Sequence, residues 1–204
     1  MRLDLSLYLV TDPRLCTERG LVETVVAAVR GGVTLVQLRD KHASDGVLID
    51  QARRLKAALA GSKVPLIVND RLAVAVESGA DGLHIGQDDG DVAEARAALG
   101  EAAILGLSVQ THEQMARVDA DRLDYLGLGP VFATPSKHDH AEPLGFAGLA
   151  SLVAASPLPA VAIGGLKAEH ATAVRDVGAQ GAAVVSAICG QPDPEATARA
   201  FFTK

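Results

Sequence analysis

Eight short apolar runs recur along the chain, each bounded by Gly, Pro, Asp or Asn. They are LSLYLVTD (5–12), VTLVQLRDK (33–41), PLIVND (65–70), DGLHIG (81–86), AILGLS (103–108), LDYLGLGPVF (123–132), PAVAIGG (159–165) and GAAVVSAI (181–188). Such boundaries mark the ends of strands. The runs are near-continuous rather than cleanly alternating, the pattern of strands buried on both faces. Helical periodicity lies between most of them, most clearly over 21–32 and 45–61, and also over 91–100 and 170–178. Several of these helices run out in Gly, a helix-stop signal. A loose repeat accompanies the pattern. SGADGLHIG (78–86) and VGAQGAAVV (177–185) both pass from a helix end through Gly-Ala-x-Gly into a strand, and AVRGGVTLVQL (28–38) is a weaker echo.

Strand followed by helix, eight times over, predicts a (β/α)8 TIM barrel, one compact domain spanning 1–204. A doubly wound open sheet is the runner-up. No GxGxxG follows the first strand, which counts against it. Composition agrees with a substantial core: 49% of the residues are hydrophobic. The net charge of −6 offers nothing global to nucleic acid or to an anionic membrane surface, so an anionic ligand must be held by local cations. Asp4 interrupts the first apolar run, so a signal-peptide core is missing. No run reaches the roughly 20 residues of a membrane span. A soluble cytoplasmic protein is expected. Cys16 and Cys189 stand in no metal-ligand spacing and read as two buried or idle thiols rather than a disulfide.

Barrels of this kind carry their chemistry at the C-terminal ends of the strands, and the unusual polar residues fall there. Strand 2 ends in Gln37, Leu38, Arg39, Asp40 and Lys41. A period of two puts Gln37, Arg39 and Lys41 on one face. If that face is inward, the two cations call for an anion; the alternative is a solvated strand end with an internal Arg39–Asp40 pair. Strand 3 ends in Asn69 and Asp70, and strand 4 is followed by Asp88 and Asp89. Neighbouring strands are about 5 Å apart, so these carboxylates can share a hard cation such as Mg²⁺, which uses few protein carboxylates plus water and phosphate oxygens. Alternatively Asp88, Asp89 and Asp91 cap the next helix. Strand 5 ends in Ser108, strand 7 in Gly164-Gly165 and strand 8 in Val185-Ser186. Small residues after strands 7 and 8 let backbone N–H groups reach a phosphate, although Gly-Gly also serves a tight turn. His84, mid-strand, reads as a satisfied core histidine. His138 and His140 have no third ligand at metal spacing and read as a solvated loop. No Ser-His-Asp arrangement is legible, and Cys189 has no base beside it.

YLVTD, VQLRDK, VNDR, GLHIGQDD, the Ser of GLS, GPVFATPSK followed by PLG, AIGG and VVSAI occur in this order over nearly the whole chain. Together they resemble the thiamine phosphate synthase family. The resemblance implies a (β/α)8 barrel that joins an aminopyrimidine methyl diphosphate to a thiazole monophosphate, or its carboxylated form. Thiamine phosphate and diphosphate would be released by a dissociative, Mg²⁺-assisted substitution. It implies that Gln37, Leu38, Arg39, Asp40, Lys41, Asn69, Ser108 and Lys137 bind the pyrimidine diphosphate. Arg39, Lys41, Ser108 and Lys137 would act on the leaving group, and Asp70 and Asp89 would hold Mg²⁺. Thr134, Pro135, Ser136, Gly165, Val185 and Ser186 would meet the thiazole phosphate. Small phosphorylated molecules are the implied partners, and a homo-oligomer is compatible with all of this. Two rival readings are a thiazole tautomerase-like barrel, which needs no diphosphate half, and a non-catalytic phosphate-ligand sensor, which needs neither the cation pair nor the diphosphate cluster. A sugar-phosphate epimerase or decarboxylase would show acid/base residues on the strands, where this chain is apolar apart from His84.

Overall fold

Strands of four to six residues alternate with helices through the computed structural model, which describes residues 3–134 and 142–203. The order is β1 (Leu7–Val10), α1 (Leu21–Arg30), β2 (Leu35–Leu38), α2 (Asp45–Leu59), β3 (Leu66–Asn69), α3 (Leu72–Ser78), β4 (Gly82–Ile85) and α4 (Val92–Leu99). There follow β5 (Ile104–Val109), α5 (His112–Met115), β6 (Tyr125–Leu128), α6 (Gly145–Ala155), β7 (Ala160–Ile163), α7 (Ala171–Asp176), β8 (Gly181–Val184) and α8 (Pro194–Arg199). All neighbours pair in parallel and in sequence order, and β8 pairs with β1, Leu9 opposite Val184, to close the barrel. The open-sheet alternative is excluded by that closure.

The near-continuous apolar runs follow from closure. Alternate strand residues enter two separate cores. Leu7, Leu9, Val36, Leu38, Leu83, Ile85, Leu126 and Leu128 pack outward under the helices. Tyr8, Val10, Leu35, Ile67, Tyr125, Val161 and Ala183 fill the barrel interior. Both faces are buried, so a polar/apolar alternation has no solvent side to report. Size alternates inside the barrel. A side chain on Gly106 would place its Cβ 2.1 Å from Cζ of Tyr125, and one on Gly127 would come within 3.3 Å of the His84 ring. These glycines make room for large polar rings on β6 and β4.

The N-terminal ends of the strands are stapled in pairs. Backbone N–H groups at the starts of β1, β3 and β5 donate to the side chain just before the next strand: Leu7 to Thr34 (3.2 Å), Leu66 to Asp81 (2.8 Å) and Leu105 to Asp124 (2.8 Å). Asp81, Asp124 and Gln180 also donate their own N–H groups to Leu66, Leu105 and Ala160. The repeat seen in the sequence therefore marks the entries to β2, β4 and β8. Gly79 ends α3 in the left-handed conformation, φ 67°, where glycine has no Cβ penalty.

Asp124 is in turn held by Arg96, a buried arginine. Its guanidinium donates to Asp124 Oδ2 (2.7 Å) and to the carbonyls of Gly100 (3.1 Å), Ala103 (2.6 Å) and Arg122 (2.7 and 2.9 Å). Arg96→Ala removes five hydrogen bonds and the buried packing of the arginine stem. Its expected cost is about 2 kcal/mol, a fall of about 4–8 °C in Tm, with turnover at low temperature unchanged. Thermal melts and an activity assay check both halves. Cys16 and Cys189 are buried, free thiols. No helix among the described residues is long and apolar enough to cross a membrane.

Candidate active site

A cavity of about 750 Å³ opens at the C-terminal ends of the strands, large enough for a substrate-sized ligand. Strand 2 contributes as its period requires. Gln37, Arg39 and Lys41 all line the cavity. Regular strand geometry stops at Leu38, so Arg39 and Lys41 extend from the loop beyond it. The buried Thr11 fixes that exit, because the Arg39 N–H donates to Thr11 Oγ1 (3.0 Å). Leu38 and Asp40 face elsewhere. Leu38 lies in the outer core, and Asp40 Oδ1 accepts from the N–H groups of His42 (2.9 Å) and Ala43 (3.1 Å), shaping the turn.

Asn69, Asp70 and Asp89 line the adjoining wall. Asp70 turns the chain out of β3 with φ 62°, a left-handed conformation that Asp and Asn tolerate better than most residues. Its N–H donates to the His84 carbonyl (2.8 Å). Asp89 folds back so that Oδ2 accepts from Gly86 N–H (2.8 Å). The capping duty falls on Asp91, which accepts from Glu94 N–H (2.9 Å) at the start of α4. Capping and cavity roles are thus split between neighbouring aspartates. Burial, reinforced by the facing Asp89, pushes the Asp70 carboxyl from 3.8 up to about 6, with Lys41 and Asn69 opposing the shift. Two carboxylates converge with a cation and an amide beside them. Among the described residues no group of three or more His, Cys, Asp or Glu could hold a metal.

The opposite wall is small and backbone-rich. Gly164 (φ 105°) and Gly165 (φ 64°) are both left-handed. A Cβ on Gly165 would fall 2.7 Å from Phe132 Cβ. The glycines therefore let this turn press against the exit of β6. Gly165, Lys167, Val185, Ser186 and Thr134 line this side, and Gln191 braces Ser186 by donating to its carbonyl (2.9 Å). Leu144 and Gly145 N–H groups donate to the carbonyls of Pro130 (2.8 Å) and Val131 (2.9 Å), so the chain returns to the point where it left β6. Pro135, Ser136, Lys137, His138 and His140 lie outside the described residues.

The cavity floor carries polar residues that periodicity did not single out. Tyr8 and Tyr125, the only tyrosines in the chain, face each other across the barrel with hydroxyls 2.9 Å apart. Gln37 Nε2 donates to Tyr8 OH (2.5 Å). His84 Nδ1 lies 2.7 Å from Tyr125 OH, and His84 Nε2 lies 2.9 Å from Ser108 Oγ. Burial lowers the His84 pKa to about 4 and raises those of both tyrosines, so all three rings are neutral near pH 7. His84 is a satisfied core histidine, as expected, and it also touches the cavity. Gln110 and Lys167 are further lining residues without a sequence signal.

Fold and cavity first define a class: a closed (β/α)8 barrel with an enzyme-like pocket at the C-terminal mouth, lined by cations, paired carboxylates and a glycine turn. Comparison with known proteins narrows it. The family model described as thiamine monophosphate synthase matches residues 7–188. A thiamine-phosphate synthase of Psychrobacter sp. is 55% identical over 203 residues, covering 98% of this chain and 95% of the relative. One from Azorhizobium caulinodans is 53% identical over 200 residues, covering 98% and 94%. A solved thiamine phosphate pyrophosphorylase from Pyrococcus furiosus superposes with a TM-score of 0.88 at 32% identity, covering 98% and 95%. The chain belongs to the thiamine monophosphate synthase family and is an enzyme of the transferase class.

Proposed function

We propose that this barrel joins an aminopyrimidine methyl diphosphate to a thiazole monophosphate, yielding thiamine phosphate and free diphosphate. The observation that carries the reading is one cavity with two unlike walls. Arg39, Lys41, Asp70 and Asp89 form one, and Gly165, Ser186 and Thr134 form the other. The first suits a diphosphate with a divalent cation, and the second suits a monophosphate met by backbone N–H groups and hydroxyls.

The bond from the pyrimidine methylene carbon to the diphosphate oxygen breaks, and its electron pair leaves with the diphosphate. The amino group stabilises the resulting cation, and the thiazole nitrogen lone pair forms the new C–N bond. No covalent nucleophile is needed. Arg39, Lys41, Ser108 and Lys137 would stabilise the charge growing on the leaving group. Gln37, Asn69 and the 37–41 turn would hold the pyrimidine end. Thr134, Pro135, Ser136, Gly165, Val185 and Ser186 would hold the thiazole phosphate in line. Asp70 and Asp89 would hold Mg²⁺, whose contribution when bound is to neutralise diphosphate charge. Two carboxylates suffice for an ion that completes its shell with water and phosphate oxygens. Two free thiols agree with a cytoplasmic location.

The test is direct. Purified protein, Mg²⁺ and both substrates should give equimolar thiamine phosphate and diphosphate. No product, with substrates intact, overturns the reading.

A further inference from the structure

The hydrogen bonds on the cavity floor form an unbroken series: Gln37 to Tyr8, Tyr8 to Tyr125, Tyr125 to His84, and His84 to Ser108. It crosses from β2 through β1, β6 and β4 to β5. Its two ends, Gln37 and Ser108, line the cavity. The three residues between them have no role in the chemistry given above.

Hydrogen counting, together with the cost of a buried hydroxyl hydrogen left without an acceptor, restricts the series to two states. Each of the four contacts needs one hydrogen, and each hydroxyl and the neutral imidazole supply one apiece. In the first state Gln37 N–H donates to Tyr8, Tyr8 to Tyr125, Tyr125 to His84 Nδ1, and His84 Nε2–H to Ser108 Oγ. The Ser108 hydrogen is then left over for the cavity. In the second state every bond reverses, Ser108 spends its hydrogen on His84, and Gln37 receives at Oε1. A mixed arrangement either asks one hydroxyl to donate twice, or makes one tyrosine oxygen accept twice and leaves that buried hydroxyl's own hydrogen without an acceptor.

We infer that Tyr8, Tyr125 and His84 are positioning residues that run this chain one way, from Gln37 to Ser108, and so fix Gln37 as an acceptor and Ser108 as a donor toward the pyrimidine diphosphate. One observation and one requirement of the proposed function select this direction. Gln37 turns its nitrogen, not its oxygen, to Tyr8, which leaves Oε1 as the amide's acceptor for an amino group. In the proposed function Ser108 would serve a diphosphate, and an anion must be met by the hydroxyl hydrogen rather than by its lone pairs. The three rings are closely packed: the His84 and Tyr125 centroids are 5.4 Å apart and those of Tyr8 and Tyr125 5.9 Å. Gly106 and Gly127 leave space for them. An amide and a hydroxyl that would otherwise rotate are thereby held in one orientation before substrate arrives.

The inference rests on the proposed function for the identity of the ligand, and its test separates the two. Nitrogen NMR of the His84 ring in the ligand-free wild type should show Nδ1 unprotonated and Nε2 protonated. Tyr125→Phe removes the middle hydroxyl while keeping the ring. It should raise KM for the pyrimidine diphosphate about tenfold and leave KM for the thiazole phosphate unchanged. A merely structural role would lower Tm and disturb both KM values together. A His84 ring protonated on Nδ1, or an unchanged KM for the pyrimidine diphosphate in the variant, overturns the inference. If the variant does not fold, the wild-type tautomer decides alone. An inactive wild type would defeat the proposed function instead, whatever the tautomer.

Discussion

Asp70→Asn should leave an enzyme that is more stable without metal and far less active at low Mg²⁺. Asp70 is half-buried against Asp89, and its carboxyl is raised from 3.8 to about 6. A folded-state pKa above the unfolded value means that the folded protein holds its proton more tightly. Stability therefore falls as pH rises from about 4 to about 6 and then stays low. Asparagine avoids that penalty and tolerates the left-handed φ of 62° at this position. After allowance for solvent screening the gain is on the order of 1 kcal/mol above pH 6, or about 2–4 °C in Tm. It should vanish below about pH 4. Turnover moves the other way. Without one of the two carboxylates, Mg²⁺ titrations should need far more metal, and kcat/KM at low Mg²⁺ should drop about a hundredfold. Metal-free melts at two pH values and Mg²⁺ titrations of activity measure the two effects separately. An unchanged titration in both Asp70→Asn and Asp89→Asn would remove the metal site.

Lys137→Ala should cost about 3 kcal/mol of barrier, or roughly 10² in kcat. A dissociative substitution puts negative charge on the departing diphosphate before the new bond has formed. A cation there is worth more in the transition state than in the ground state, so its loss appears in kcat more than in KM. Arg39 and Lys41 stand on the same cavity but act from the β2 exit. Lys137 follows Thr134 in the sequence, and Thr134 lines the cavity from the β6 side. Single-turnover assays at saturating Mg²⁺ would isolate the step. Wild-type turnover in the variant would show that Lys137 has no part in leaving-group departure.

The barrel was legible because closure is a repetitive demand. Each parallel strand had to be apolar on both faces, and each run of six to ten residues declared itself. The helices were less so. α5 has four residues and α8 six, too short for a period to develop, and α6 is apolar enough that no face stands out. The cavity walls were readable from one rule, that polar residues at strand ends are unusual. The floor was not. Tyr8 and Tyr125 sit inside runs that read as core, and a tyrosine looks apolar until its hydroxyl finds a partner. Only three-dimensional register brings those hydroxyls together with Gln37 and His84. Leu38 and Asp40 illustrate the opposite limit: a motif includes them as neighbours, while their side chains serve packing and a turn.

The staples at the N-terminal ends make the ring divisible. Thr34, Asp81 and Asp124 each bind a strand to the one before it, and Gln180 does so through its backbone. The side-chain staples therefore mark three strand pairs, β1–β2, β3–β4 and β5–β6, within a ring whose backbone bonds run through every seam, with β8 closing on β1. No strand pair is first in space, although one is first in the chain. New termini opened between these pairs, at the foot of the barrel, would sever no side-chain staple and leave the mouth untouched, so a circularly permuted chain should still close the same ring.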